Sequence, residues 1–124
     1  MFGHLRNATP SMPSESVVRA LSDIAEHIQL ARLWTVDMSL EQFSEDRKTF
    51  YAATRCVAII SEAVRRLPPN LTARWPDLPW RKIRDAGNFY RHQYDDVAEQ
   101  DIWTVVHHDL APLEGVVQAE LSRP

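Results

Sequence analysis

The chain is poor in the residues that mark tight turns and disulfide frameworks. Its 124 residues include 3 Gly and one Cys. So few glycines argue against a fold built on tight β-hairpins. A lone cysteine cannot form an intramolecular disulfide, which fits a reducing cytosol. Cys56 falls in the apolar middle of a helical segment, and we interpret it as a buried structural thiol.

The sequence also lacks long apolar runs and an excess of positive charge. No stretch approaches the ~20 apolar residues that span a bilayer, and the first residues lack the layout of a signal peptide. We therefore expect a cytoplasmic protein with no membrane contact. The net charge of −3 excludes a basic field over the whole molecule for long nucleic acids. The length suits one domain, predicted at 14–124 after a flexible segment at 1–13.

Helical periodicity dominates the first half of the chain. The first helix is predicted at about 15–36, with Ser14 as its N-cap. The second is predicted at about 40–67, because Ser39 and Gln42 form a capping box before its apolar stripe. Two adjacent prolines end that helix, and a proline-rich loop follows.

The second half continues the helical pattern. A third helix is predicted at about 80–93, and Asp96 with Glu99 forms a capping box for the fourth. Pro112 must end or kink this last helix, which then resumes to the end of the chain. The expected fold is all-α: an antiparallel up-and-down four-helix bundle with a kinked or split C-terminal helix.

The third predicted helix carries the chemistry. The segment Trp80–Tyr94 holds four Lys or Arg side chains, an Asn, a His and two Tyr. At about 100° per residue, four of its polar side chains share an arc of about 100°. They are Arg84, Asn88, Arg91 and His92. This local basic patch can bind a few phosphates.

These residue types suit metal-free cleavage of RNA. Arginine presents a fixed fork of donors to a phosphate, and histidine exchanges protons near neutrality. RNA supplies its own nucleophile, the 2′-hydroxyl. One interpretation of this helix face is therefore a site that cleaves RNA with no metal and no cofactor. Additional phosphate or RNA contacts are predicted for Arg81, Lys82 and Tyr90. The adjacent His107 and His108 point about 100° apart, so they cannot chelate a metal from one face.

Two other interpretations of the same helix face remain open. It could belong to a non-catalytic interaction module that binds a partner protein or a nucleotide. It could also be a solvated polar face, which is the common fate of several arginines on one helix.

Several segments of the sequence resemble the HepT-type toxins of the HEPN superfamily. The most specific part is the Asn-x-x-x-His-x-Tyr pattern at Asn88, His92 and Tyr94, preceded by Leu-Pro-Trp. Ile102-Trp103 and Leu110-Ala-Pro-Leu follow it at family spacing. Further upstream, the Glu-Ala-x-x-Arg-Leu-Pro stretch after residue 61 resembles the second helix of that family. The resemblance covers residues 15–121.

The resemblance implies a HEPN-like helical bundle and a metal-independent endoribonuclease of a type VII toxin–antitoxin system. It implies a homodimer, with room for a higher oligomer, that binds single-stranded RNA or tRNA at the dimer cleft. It also implies a nucleotidyltransferase antitoxin that attaches AMP to Tyr94. In the family motif an arginine is followed by four to six residues and then by the histidine, and here Gly87 occupies the fifth position before His92. Arg84 or Arg91 could supply the cation, and Gly87 could allow close helix approach at a dimer interface.

Overall fold

The computed structural model describes residues 14–88 and 97–124. Every regular element within these two ranges is helical, as the sequence predicts. The helices are α1 (Glu15–Thr35), α2 (Leu40–Glu45), α3 (Arg47–Arg65), α4 (Pro69–Ala73), α5 (Trp80–Ala86), α6 (Val97–Thr104), a π-helical turn (Val105–Asp109) and α7 (Leu110–Leu121). None of them is long and apolar enough to cross a membrane.

The first predicted helix is confirmed nearly to the residue. The Ser14 hydroxyl accepts a hydrogen bond from the Val17 N–H at 3.3 Å and caps α1. Apolar side chains at helical spacing, including Leu21, Ile24 and Ile28, lie fully buried against the rest of the bundle. Sequence and structure agree here because a local cap and a regular apolar stripe indicate the same helix.

The second predicted helix is wrong in one respect, since it is two helices. Ser39 and Gln42 form the expected capping box at the start of α2. At Asp46 the backbone leaves the helical region, with φ −91° and ψ 90°. The Asp46 carboxylate accepts a hydrogen bond from the Thr49 N–H at 3.1 Å and becomes the N-cap of α3. An aspartate that caps a new helix therefore divides the predicted one.

The C-terminal helix is distorted, and not broken, before its proline. In the π-helical turn the Leu110 N–H donates to the Val105 carbonyl, five residues back. Pro112 then lies in the first turn of α7, where its missing N–H is tolerated best. The predicted kinked or split helix is confirmed, and its cause is a widened turn beside a proline.

Side-chain contacts confirm the up-and-down arrangement. Asp23, early in α1, pairs at 3.0 Å with Arg66, directly after α3, so these two helices are antiparallel. Arg32, late in α1, pairs at 2.7 Å with Glu114 at the start of α7. Helix α5 is antiparallel to α3, as its contacts below show. The described helices α1, α3, α5 and α7 therefore alternate in direction.

The proline-rich loop is held to the C-terminal helix by a buried carboxylate. Glu120 is 1% exposed. It accepts hydrogen bonds from Arg74 at 2.7 and 3.1 Å and from the Trp75 indole at 2.6 Å. Burial raises the pKa of Glu120, but these hydrogen bonds outweigh burial and the net pKa is lowered. Cys56 is buried as predicted, and burial raises its pKa to about 11.

Candidate functional site

Helix α5 begins where the loop is fixed to the bundle. Pro79 stands at its N-cap position, and proline fits the start of a helix because no intrahelical partner is lost there. The Trp80 indole N–H donates to the Trp75 carbonyl at 3.0 Å. The side chains of Trp80, Ile83 and Ala86 are buried on the face that meets the core. The start of the predicted RNA-binding helix is thus fixed by packing.

The cationic side chains of α5 lie in three different environments. Arg81 is exposed and makes no ion pair with any described residue. The Lys82 ammonium lies 3.2 Å from the Asp109 carboxylate of the π-helical turn. Arg84 is half-buried, and its backbone carbonyl accepts a hydrogen bond from the Arg65 guanidinium at 2.7 Å. Only part of the positive charge predicted for this helix is therefore free of a protein partner.

Helix α5 ends at Ala86 because a side chain from α3 enters its hydrogen-bond ladder. The Ser61 hydroxyl donates to the Ile83 carbonyl at 2.8 Å and accepts from the Gly87 N–H at 2.9 Å. In a regular α-helix that N–H would donate directly to that carbonyl, four residues back. A β-carbon on Gly87 would stand 3.0 Å from the Ser61 β-carbon and 3.2 Å from the Ala58 α-carbon. The close approach expected of Gly87 is therefore to α3 of its own chain.

Of the predicted catalytic residues, two lie in the described part of the chain. Arg84 stands in the last turn of α5. Asn88 follows one turn later, with its N–H donating to the Asp85 carbonyl at 3.0 Å. Arg81 and Lys82 are described above, and the remaining predicted site residues lie outside the described residues. They are Tyr90, Arg91, His92 and Tyr94. The predicted third helix is likewise described only as far as Asn88.

A histidine of the π-helical turn lies in an unusual environment. The His107 ring stacks on Trp103 with ring centroids 3.9 Å apart. Its Nε2 is buried and has no hydrogen-bond partner within residues 14–88 and 97–124. Burial lowers the pKa of His107, and the neighbouring charges of His108 and Arg32 lower it further. His107 is therefore kept neutral near pH 7. No group of three His, Cys, Asp or Glu in the described chain could hold a metal.

Two side chains that hold the end of α5 were not among the residues predicted for the site. Ser61 lies on α3 and is 1% exposed, and Arg65 follows one turn later. A small polar residue between the apolar Ile60 and Val64 was the available signal. It indicates a hydroxyl that must find a partner inside the core, although the partner could not be named from sequence.

The chain matches known proteins over most of its length. Residues 24–120 match the family described as Ribonuclease HepT-like. A protein of Thermococcus cleftensis named Probable ribonuclease HepT is 34% identical over 95 residues, which cover 77% of this chain and 86% of that protein. A candidate RNase of Methanocaldococcus jannaschii is 29% identical over 111 residues, covering 86% and 92% of the two chains. A second candidate RNase of that organism is 25% identical over 103 residues, covering 83% and 85%.

No solved structure matches the chain. The family match nevertheless spans well over half of it, and the all-α bundle agrees with the fold that the resemblance implies. The chain therefore belongs to the HepT-like ribonuclease family of the HEPN superfamily.

Proposed function

We propose that this protein is a metal-independent endoribonuclease that acts as the toxin of a type VII toxin–antitoxin system. The observation that carries the proposal is the geometry at the end of α5. The chain that contains this helix belongs to a ribonuclease family. At that helix end Asn88 follows a glycine that packs on α3, with the backbone of Arg84 bound by the Arg65 guanidinium one turn earlier. Such a site offers amide and guanidinium groups to a phosphate diester.

In the proposed reaction the substrate is its own nucleophile. His92 takes the proton from a 2′-hydroxyl, whose oxygen attacks the adjacent phosphorus. The bond from phosphorus to the 5′-oxygen breaks, and that oxygen takes up a proton as it leaves. The products are a 2′,3′-cyclic phosphate and a 5′-hydroxyl. Arg84 or Arg91 stabilises the charge that develops on the phosphorane, and Asn88 orients the reacting groups.

The binding surface extends beyond these residues. We assign phosphate or RNA contacts to Arg81 and Lys82, and base stacking to Tyr90. Single-stranded RNA or tRNA binds at the cleft of a homodimer, where two copies of the motif meet. A nucleotidyltransferase antitoxin attaches AMP to Tyr94, and the added volume and negative charge exclude RNA.

An RNA cleavage assay tests the activity. Purified protein is incubated with RNA and EDTA, and the wild type is compared with His92→Ala. The matched control is His108→Ala, which removes an exposed histidine outside the proposed site. We expect cleavage by the wild type and by the control, and at least a hundredfold loss in His92→Ala. Equal cleavage by the wild type and His92→Ala would contradict the assignment.

Mass spectrometry tests the regulation. The protein is co-expressed with a nucleotidyltransferase of the antitoxin type, and intact mass is compared for the wild type and Tyr94→Phe. We expect one or more AMP units on the wild type and none on the variant. A wild type that carries no AMP and yet no longer arrests growth in the presence of the nucleotidyltransferase would argue against this mode of inhibition.

Gly87 favours a second candidate function, a non-catalytic module that binds the nucleotidyltransferase or a nucleotide. At Gly87 the family motif has an arginine, and here the neighbouring Ser61 and Ala58 leave no room for a side chain without movement. A protein without this cation could still bind the nucleotidyltransferase or a nucleotide while no longer cleaving RNA. Expression without the antitoxin separates the two functions, since growth arrest requires the ribonuclease and normal growth favours the module.

A further inference from the structure

The Ser61 hydroxyl takes the place of one backbone hydrogen bond of α5. It bridges the Ile83 carbonyl and the Gly87 N–H, at 2.8 and 2.9 Å. Ser61 is 1% exposed, so its bond to the Ile83 carbonyl is buried and its bond to the Gly87 N–H is partly buried. Insertion of a side chain into the ladder is a recognised cause of a sharp change in helix direction. The point at which α5 ends is therefore set by a residue of α3.

A glycine is required at position 87 because α3 leaves no space there for a side chain. Its φ of −69° is one that any L-residue adopts, so conformational freedom does not explain a glycine. A β-carbon would lie 3.1 Å from the Ser61 hydroxyl oxygen and 3.2 Å from the Ala58 α-carbon. The backbone of α3 cannot move away cheaply. The glycine thus lets the Gly87 N–H come within hydrogen-bond distance of Ser61.

Arg65 holds the same helix end from one turn further along α3. Its Nη2 donates to the Arg84 carbonyl at 2.7 Å. The last carbonyls of a helix have no intrahelical partner, and a cation there also complements the helix dipole. Ser61 and Arg65 are four residues apart and share one face of α3. Together they bind the carbonyls of Ile83 and Arg84 and the N–H of Gly87.

We propose that Ser61 and Arg65 form a clamp on the end of α5 that positions Asn88 for RNA cleavage. The proposal rests on the proposed function. Both are positioning residues, since they act through the α5 backbone. A displacement of about 1 Å in such a supporting element can cost about a hundredfold in rate. Fixing the exit of α5 at two carbonyls and one N–H limits such displacement.

Kinetics of Ser61→Ala test the clamp. In this variant the Gly87 N–H can bond directly to the Ile83 carbonyl, so the protein should fold and its Tm should change little. We expect kcat to fall at least tenfold while KM stays within about twofold. A kcat within twofold of the wild type would overturn the proposal.

Exchanging the sizes of the side chains at positions 87 and 61 separates a positioning role of Ser61 from a packing role. Gly87→Ala alone should lower both Tm and kcat, because its β-carbon collides with Ser61. Adding Ser61→Gly relieves that collision and should restore part of the Tm, but kcat should stay low because the hydroxyl is absent. Full recovery of kcat in the double variant would reduce Ser61 to a packing role and overturn the proposal.

Arg65 has a matched control in its neighbour. Arg65→Met and Arg66→Met each remove one half-exposed arginine, but Arg66 pairs with Asp23 on α1. We expect at least a tenfold loss of kcat in the first and less than a twofold change in the second. Equal losses would mean that net charge, and not the bond to Arg84, is what matters.

If the wild type does not cleave RNA, the proposed function is wrong but the clamp is not yet contradicted. An NMR spectrum of the backbone and side-chain amides then tests the clamp separately. Ser61→Ala should shift the backbone and side-chain amide resonances of Asn88, whereas Arg66→Met should leave them in place. Unchanged Asn88 resonances in Ser61→Ala would overturn the clamp whatever the activity.

Discussion

The Lys82 ammonium lies 3.2 Å from the Asp109 carboxylate, and this ion pair joins α5 to the π-helical turn. The lysine side chain is 58% exposed and the aspartate side chain 16%. A lysine predicted to bind RNA phosphate is thus already partly neutralised. Arg81, one residue earlier, is exposed and has no ion pair within the described chain.

This difference predicts unequal roles for two adjacent cations in RNA binding. Arg81→Met should weaken RNA binding and reduce the slope of log K against log salt by roughly 0.7, one phosphate contact on a single strand. Lys82→Met should change the slope by less, because its ammonium must first leave Asp109. Titrations at several salt concentrations measure both slopes. A larger change for Lys82→Met would contradict the ranking.

Two glycines in helical surroundings predict opposite effects on stability. Gly87→Ala forces a β-carbon against Ser61 and Ala58, and overpacking of this kind costs about 1–3 kcal/mol. Gly115→Ala, within α7, meets no atom within 4 Å and should stabilise the fold by about 0.5–1 kcal/mol. Urea denaturation measures both. The comparison fails if both substitutions shift the midpoint in the same direction.

The buried carboxylate of Glu120 predicts a large loss on neutralisation. Glu120→Gln weakens the hydrogen bonds to Arg74 and Trp75 and leaves the guanidinium without its counter-charge. Removing one partner of a buried pair costs about 3 kcal/mol. The control is Glu15→Gln, whose carboxylate is exposed and 3.7 Å from Arg19, and it should leave the Tm unchanged. Thermal unfolding decides, and equal Tm values for the two variants would be inconsistent with the prediction.

The lowered pKa of His107 predicts acid sensitivity in a defined window. In the unfolded chain the histidine titrates at its ordinary value of 6.5, and in the folded protein its pKa lies lower. Between the two values the unfolded state binds more protons, so stability is full above pH 6.5 and falls as the pH drops toward the folded pKa. His107→Gln should flatten the Tm profile between pH 7 and 5. The exposed His108→Gln removes only a smaller cause of the lowered pKa and should keep most of the wild-type slope. A flat wild-type profile would exclude this role.

Sequence alone predicts the parts of this fold that depend on local signals. The Ser14 cap and the capping box of Ser39 and Gln42 lie where they were expected. Each rests on bonds within four residues, and a regular apolar stripe follows. The break at Asp46 was missed because its residues also continue a helical pattern. An aspartate can be read as an ordinary helix residue until its carboxylate is seen to cap the next helix.

The candidate site was predicted less completely, because its determinants are not local. Spacing predicts Arg84 and Asn88 on one helix, but α5 ends at Ala86 and Asn88 lies in the turn that follows it. The role of Gly87 depends on Ser61, which lies 26 residues earlier in the chain. No period or motif of the sequence pairs those two positions. The environment of a motif residue is therefore harder to predict than the motif itself.

The π-helical turn gives the C-terminal helix a place where chain length can vary. Such a turn holds one residue more than the α-helical turn that would join the same two faces. Deletion of His108 would therefore leave α6 and α7 in phase. Its free-energy cost would arise at Pro112, which would then lie in a more regular helix. Losing Ala111 instead would rotate the rest of α7 by about 100° and turn Glu120 away from Arg74. The two neighbouring deletions should thus differ sharply in how much of the bundle they disturb.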